Sequence, residues 1–198
     1  MKTFPLLIAF TFLFICNSYS TTLSEGDTVS GSLNNLYGQG INITLPDGNW
    51  EVTRSEKDQY YTDIELYSYQ YDTWGYISTP VAPTAGDFWG GRPLKKCSGK
   101  HVYLSLIERS APESSLCFED VEVDGSTWAV VTLNSRTERP PLKWLTVEFW
   151  TPIENMNSSL SNQNLKDIGG NIFKALRNGF KGGSSNNMSQ LSELMTNN

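Results

Sequence analysis

Between residues 28 and 150 apolar and polar side chains alternate in short runs, and most runs end at Gly, Pro, Asn or Asp. Alternation with period two predicts half-buried strands, because successive side chains of an extended chain point to opposite faces. Thr28 to Leu33, Tyr61 to Tyr69, His101 to Ile107 and Lys143 to Trp150 read this way. LPDGNWEV, residues 45–52, predicts a bulged hairpin: Pro46 presets one turn dihedral, Asp47 suits the next position, and Gly48 accepts the left-handed conformation. Before that turn Ile41, Ile43 and Leu45 share a face; after it Trp50 and Val52 share another, opposite Asn49, Glu51 and Thr53. VEVDGSTWAVV predicts a second hairpin, with Asp124-Gly125 as its two-residue turn and Val121 opposite Trp128. Trp50 and Trp128, each following a turn on an alternating strand, are expected in the core. Pro and Gly gather at 71–93 and 136–141, which read as loops.

The period changes once. In 164–180, NLKDIGGNIFKALRNGF, Leu165, Ile168, Ile172 and Leu176 recur at helical spacing, Phe173 and Phe180 widen the stripe, and Gly182-Gly183 ends it. Seven to nine short strands followed by one amphipathic helix predict an all-β fold, an antiparallel sandwich or barrel. The expected organisation is a β domain over 21–160, the helix within 161–183, and a disordered polar tail over 184–198.

The first twenty residues, MKTFPLLIAFTFLFICNSYS, place one cation before an apolar run and end in small residues. That is the layout of a cleavable secretory signal cut after Ser20. The run falls short of the ~20 apolar residues a spanning helix needs. A lipoprotein signal with Cys16 as the lipidated residue is the alternative, which Ile15 fits poorly. The expected location is therefore periplasmic or secreted. The formal charge of −6 becomes −7 without Lys2. A nucleic-acid partner is disfavoured, since neutralising phosphates requires clustered Lys and Arg.

Beyond the leader the cysteines are Cys97 and Cys117. In an oxidising compartment the pair is expected to be bonded. The segment between them reads as strand, turn, strand, which brings them together. Redox-active pairs are usually spaced by two residues, so a reactive dithiol is disfavoured.

Candidate chemistry is sparse. A single histidine, His101, rules out a histidine-cluster metal site and leaves a Ser-His-Asp arrangement dependent on that one ring, which reads as a strand-end surface residue. EDVEVDG, 119–125, resembles the front of a helix-loop-helix calcium loop, but the position that should be a bidentate Glu is Val131. No catalytic residue, metal or cofactor is expected. About twenty acids are scattered along the chain, so the paired carboxylates of a glycoside hydrolase cannot be nominated from spacing.

The strongest candidate is aromatic. In QYYTDIELYSYQYDTWGY, strand periodicity puts Tyr61, Tyr67, Tyr69 and Tyr71 on one face with Asp63 and Glu65, while Ile64 and Leu66 face the core. Such a row binds sugars or peptides, each ring offering apolar area and a hydroxyl; packing beneath the helix or the 71–93 loop is the competing account. The helix carries Lys166, Lys174 and Arg177, with Lys181 just beyond, against Asp167. It can dock on the sheet through its apolar stripe or lie on an anionic membrane.

Through its leader and LPDGNWEV, the chain resembles small secreted or periplasmic bacterial proteins of uncharacterised function that carry an early Leu-Pro-x-Gly-x-Trp hairpin. The resemblance implies an exported all-β protein and assigns no functional residue. The leading expectation is a non-enzymatic envelope protein with a binding or structural role, contacting a glycan, a peptide or a membrane surface. A secreted carbohydrate hydrolase using carboxylates and a membrane-surface protein using the helix are the alternatives.

Overall fold

The computed structural model describes residues 20–58, 60–80, 94, 96–137 and 143–195. The leader reading, including Cys16, falls on residues outside these, as does most of the 71–93 loop. The described residues form an open antiparallel sheet of eight strands: β1 (Thr28–Val29), β4 (Trp50–Lys57), β5 (Tyr61–Ser68), β6 (Thr73–Pro80), β7 (Val102–Glu108), β8 (Glu113–Val123), β9 (Ser126–Arg136) and β10 (Trp144–Pro152). Across the sheet they run β1-β4-β5-β6-β10-β9-β8-β7, so β1 and β7 are edges and no barrel closes. β2 (Ser32–Leu33) and β3 (Ile43–Thr44) make a separate two-stranded sheet. The all-β class and the single long helix, α1 (Asn162–Phe180), agree with the sequence pattern.

One face of the large sheet is apolar. Trp50, Val52, Ile64, Leu66, Ile77, Leu116, Phe118, Val131, Leu133, Leu145, Val147 and Phe149 are all buried on it. It is covered by a layer from the two ends of the chain: Leu33, Leu36, Ile41, Ile43 and Leu45 from one side, Leu165, Ile168, Ile172, Leu176 and Phe180 of α1 from the other. The helix thus docks through the stripe read from its sequence. Ser161 caps it, its hydroxyl accepting the Asn164 N–H at 3.2 Å. At the other end Lys143 Nζ donates to the Phe180 carbonyl at 2.8 Å, and burial of that ammonium pushes its pKa down. Two glycines set how closely α1 approaches. A Cβ at Gly169 would strike the Leu104 side chain, and one at Gly179 the Asn42 carbonyl.

Four readings are corrected. Pro46 to Asn49 do turn the chain, with Gly48 at φ 103°, but β3 and β4 do not pair: β3 bonds to β2, and β4 to β1 and β5. The turn is a crossing between two sheets rather than a hairpin, because Ile41, Ile43 and Leu45 are all buried in the covering layer. Thr28 to Leu33 likewise divides into β1 and β2, with Gly31 at φ 65° between them. Residues 73–80, assigned to a loop by Gly75 and Pro80, form β6. Gly75 suits the place on the inner face: a Cβ there would come within 3.2 Å of Leu66 Cβ, 3.3 Å of Phe149 Cε1 and 3.4 Å of Trp50 Cζ3. The expected disordered tail instead folds as a 3₁₀ helix at Asn186–Leu191 followed by α2 (Ser192–Met195), with Met188, Leu191, Leu194 and Met195 buried. Four apolar residues in a polar stretch are enough because they have a ready-made surface to join.

The Asp124-Gly125 turn is as read, with both residues at positive φ and Val121 paired with Trp128. Cys97 and Cys117 are disulfide-bonded, their Cα atoms 5.5 Å apart.

Candidate functional site

The opposite face of the sheet is organised in rows that run across the strands. Lateral register places Asp63, Ser78, Thr146, Asn134 and Ser115 in one row, on β5, β6, β10, β9 and β8 in turn. The next row is Glu65, Tyr76, Glu148 and Thr132; the one after it is Tyr67, Trp74, Trp150 and Val130. Trp128 follows one step further, opposite Pro152 and Val121. Neighbours in a row stand ~4.8 Å apart, and rows of one face ~6.6 Å apart along the strands.

The middle rows enclose a groove of about 440 Å³ lined by Glu65, Trp74, Gly75, Tyr76, Val123, Trp128, Glu148 and Trp150. Its size lies within the range of small-ligand sites. Three indoles, with Tyr76 and Val123, supply its apolar surface. Trp74 is 43% exposed and packs on Tyr67 at 4.7 Å between ring centroids. Tyr67 is steadied by Tyr69 at 4.8 Å and by donating its hydroxyl to Asp72, a bond that raises the phenol pKa. Trp150 donates its indole N–H to Glu148 Oε2 at 3.1 Å, fixing ring and carboxylate together. Glu65 Oε1 accepts from Arg54 at 3.2 Å, and the same guanidinium is bonded to Glu56. The result is a set of flat apolar rings with carboxylate acceptors at the level of their edges.

Part of the tyrosine row read from the sequence stands as expected. Tyr61, Asp63, Glu65 and Tyr67 lie on this outer face of β5, with Ile64 and Leu66 fully buried on the other. Tyr69 lies beyond the strand end and is 77% exposed. Tyr71 is not part of the surface: β5 stops at Ser68, the chain reverses through Tyr69 to Asp72 with Asp72 at φ 48°, and Tyr71 swings beneath the sheet against Trp50. Burial raises the Tyr71 pKa. Trp128 also differs from expectation. Ala129, Val131 and Leu133 take the inner face, so Trp128 falls on the outer one and lines the groove.

Sequence reasoning missed Trp74, Tyr76, Glu148 and Trp150. The first two lay in the supposed loop. Glu148 and Trp150 follow the alternation of the β10 stretch, whose polar side could have been aligned with the tyrosines only by knowing that β6 stands between them.

Other clusters are structural. His101 Nδ1 lies 2.6 Å from Asp120 Oδ2, and the His101 backbone N–H bonds the same carboxyl, which holds its pKa below the usual range. No serine hydroxyl bonds that ring among the described residues. Cys97, Cys117 and Glu119 bring their polar atoms within 4.8 Å of one another, yet the sulfurs are bonded together and Glu119 accepts the Ser98 and Gly99 N–H groups. Of the 119–125 acids, Glu119 and Asp120 are thus engaged with backbone.

No known protein family, curated protein or solved structure matches the chain. No helix among the described residues is long and apolar enough to cross a membrane.

Proposed function

We propose that this chain is an exported, non-enzymatic binding protein of the bacterial cell envelope whose outer-face groove takes a glycan. The observation that carries the reading is the groove of Trp74, Trp128 and Trp150 beside Glu65 and Glu148. A pyranose presents an apolar face of C–H groups and a rim of hydroxyls. Indole planes match the first, and carboxylate oxygens accept hydrogen bonds from the second. The rings sit on paired strands in fixed register, so little conformational freedom is lost on binding. The disulfide and the leader pattern support export.

The hydrolase alternative has one observation in its favour. Glu65 and Glu148 flank Tyr76 across two strand spacings, ~9.5 Å of backbone, which approaches the spacing of an inverting carboxylate pair. Glu65, however, is committed to an ion pair with Arg54, and its side chain is 41% exposed. Binding is the better account.

Tryptophan fluorescence and calorimetry against a panel of soluble oligosaccharides test it. At least one should shift the emission and bind with a dissociation constant that Trp74→Ala weakens about tenfold or more. Absence of binding across the panel, or binding indifferent to Trp74→Ala, overturns the reading. Release of shortened saccharides during incubation would favour the hydrolase.

A further inference from the structure

We propose, resting on the glycan reading above, that the groove selects saccharides bearing free amino groups, glucosamine-type sugars in their ammonium form, over neutral or N-acetylated ones. Among the described residues its lining contains two carboxylates and no Lys or Arg. The surroundings have the same sign. Glu51 stands opposite Tyr67 at the end of the aromatic row, and Asp72 accepts the Tyr67 hydroxyl. Among the described residues the cation bonded to a groove carboxylate is Arg54, and it is shared between Glu56 and Glu65.

Four aromatic rings line the same space: Trp74, Tyr76, Trp128 and Trp150. The faces of such rings carry negative quadrupole charge and attract a cation within ~6 Å. An ammonium supplies three donors and no acceptor, the complement of a carboxylate, which accepts only. An acetamide brings a carbonyl that requires a donor and carries no charge for the carboxylates or ring faces to attract, and the Trp150 N–H is already bonded to Glu148. Carboxylated or sulfated glycans meet like charge. The carboxylates and the ring faces together therefore favour a positively charged sugar.

The test compares three ligands on the purified protein by fluorescence titration and calorimetry: a chitosan oligosaccharide, its fully N-acetylated counterpart and the cello-oligosaccharide of equal length. The chitosan oligosaccharide should bind about tenfold more tightly than either. The margin should narrow as salt rises, and Glu148→Gln and Glu65→Gln should each reduce it. Equal affinity for all three ligands overturns the selectivity and leaves the glycan reading standing. Failure of all three to bind, while another glycan does, also overturns the selectivity alone; if no saccharide binds, both fall. Because the whole chain is acidic, a chitosan preference unchanged in Trp74→Ala, Glu148→Gln and Glu65→Gln would be diffuse attraction to the surface and would overturn the proposal.

Discussion

The two faces of the large sheet are built from the same strands, residue by residue in alternation, and they are held in different ways. The inner face is filled by aliphatic side chains and by Trp50, whose ring meets Phe149 edge-on at 5.3 Å and whose N–H donates to the Pro46 carbonyl at 3.0 Å. The outer face carries Trp74, Trp128 and Trp150 over open space, and its order comes from polar bonds: Trp150 to Glu148, Arg54 to Glu65, Tyr67 to Asp72, Thr146 to Asn134. Alternation alone cannot separate a tryptophan that holds the fold from one that offers a surface. What covers each face does.

The sharpest way to test the contrast is to truncate one ring on each side. Trp50→Ala should cost about 3–5 kcal/mol in denaturant melting, since the site loses a fully buried indole and strands the Pro46 carbonyl. Trp74→Ala should cost under about 1 kcal/mol. Equal losses would mean that the outer rings also support the fold.

Removing the disulfide comes next. Cys117 lies on the outer-face side of β8, and the bond ties the chain before β7 to it. The Cys97→Ser, Cys117→Ser double variant should lose about 3 kcal/mol, from the ~20-residue loop it opens. Thiol labelling of the unreduced native protein should find neither sulfur.

Gly179→Ala probes the inner side from its cover. Alanine favours a helix by about 1 kcal/mol, yet its methyl would enter the space of the Asn42 carbonyl. A net loss of about 1–3 kcal/mol is expected; a gain in melting temperature would show that α1 does not press on the β2–β3 segment.

The smallest effect is in acid. The Asp120 carboxyl is held below the ordinary range chiefly by the His101 backbone N–H, and further by the His101 ring. A depressed folded-state pKa contributes stability that is complete above the unfolded value and disappears as pH falls through the folded one. Asp120→Asn should therefore flatten the acid limb of the stability profile and lower the plateau by on the order of 1 kcal/mol.

How much of this is legible in the sequence varies from strand to strand. β5 shows clean alternation, and both its faces were assigned correctly up to Ser68. β9 reads Ala129-Val130-Val131 without alternation because Val130 is buried on the outer face while its neighbours are buried on the inner, so the orientation of Trp128 could not be deduced. β6 was lost to its glycine, the one residue small enough to sit over Trp50. The groove followed β6 into obscurity, since its members come from β5, β6, β8, β9 and β10, and only pairing brings them to one place. The polar composition of the terminal 3₁₀ segment predicts disorder, because its few apolar residues gain their value from a surface made elsewhere.

The bonds between Asn42 and the glycines after α1 impose an order on folding. Asn42 Nδ2 donates to the carbonyls of Gly182 at 2.9 Å and Gly183 at 3.0 Å, and its backbone N–H donates to Gly179 at 2.8 Å, partners about 140 positions away. Closing so long a loop costs entropy before any contact repays it. The meanders β4-β5-β6 and β7-β8-β9-β10 can each assemble from near neighbours before β6 joins β10, but the layer over the inner face needs the segments before β4 and after β10 together. A polypeptide emerging amino end first exposes the apolar sheet face until the segment from α1 to α2 arrives. Its safest fate is to be released whole, and a stalled or clipped chain presents the surface on which aggregation begins.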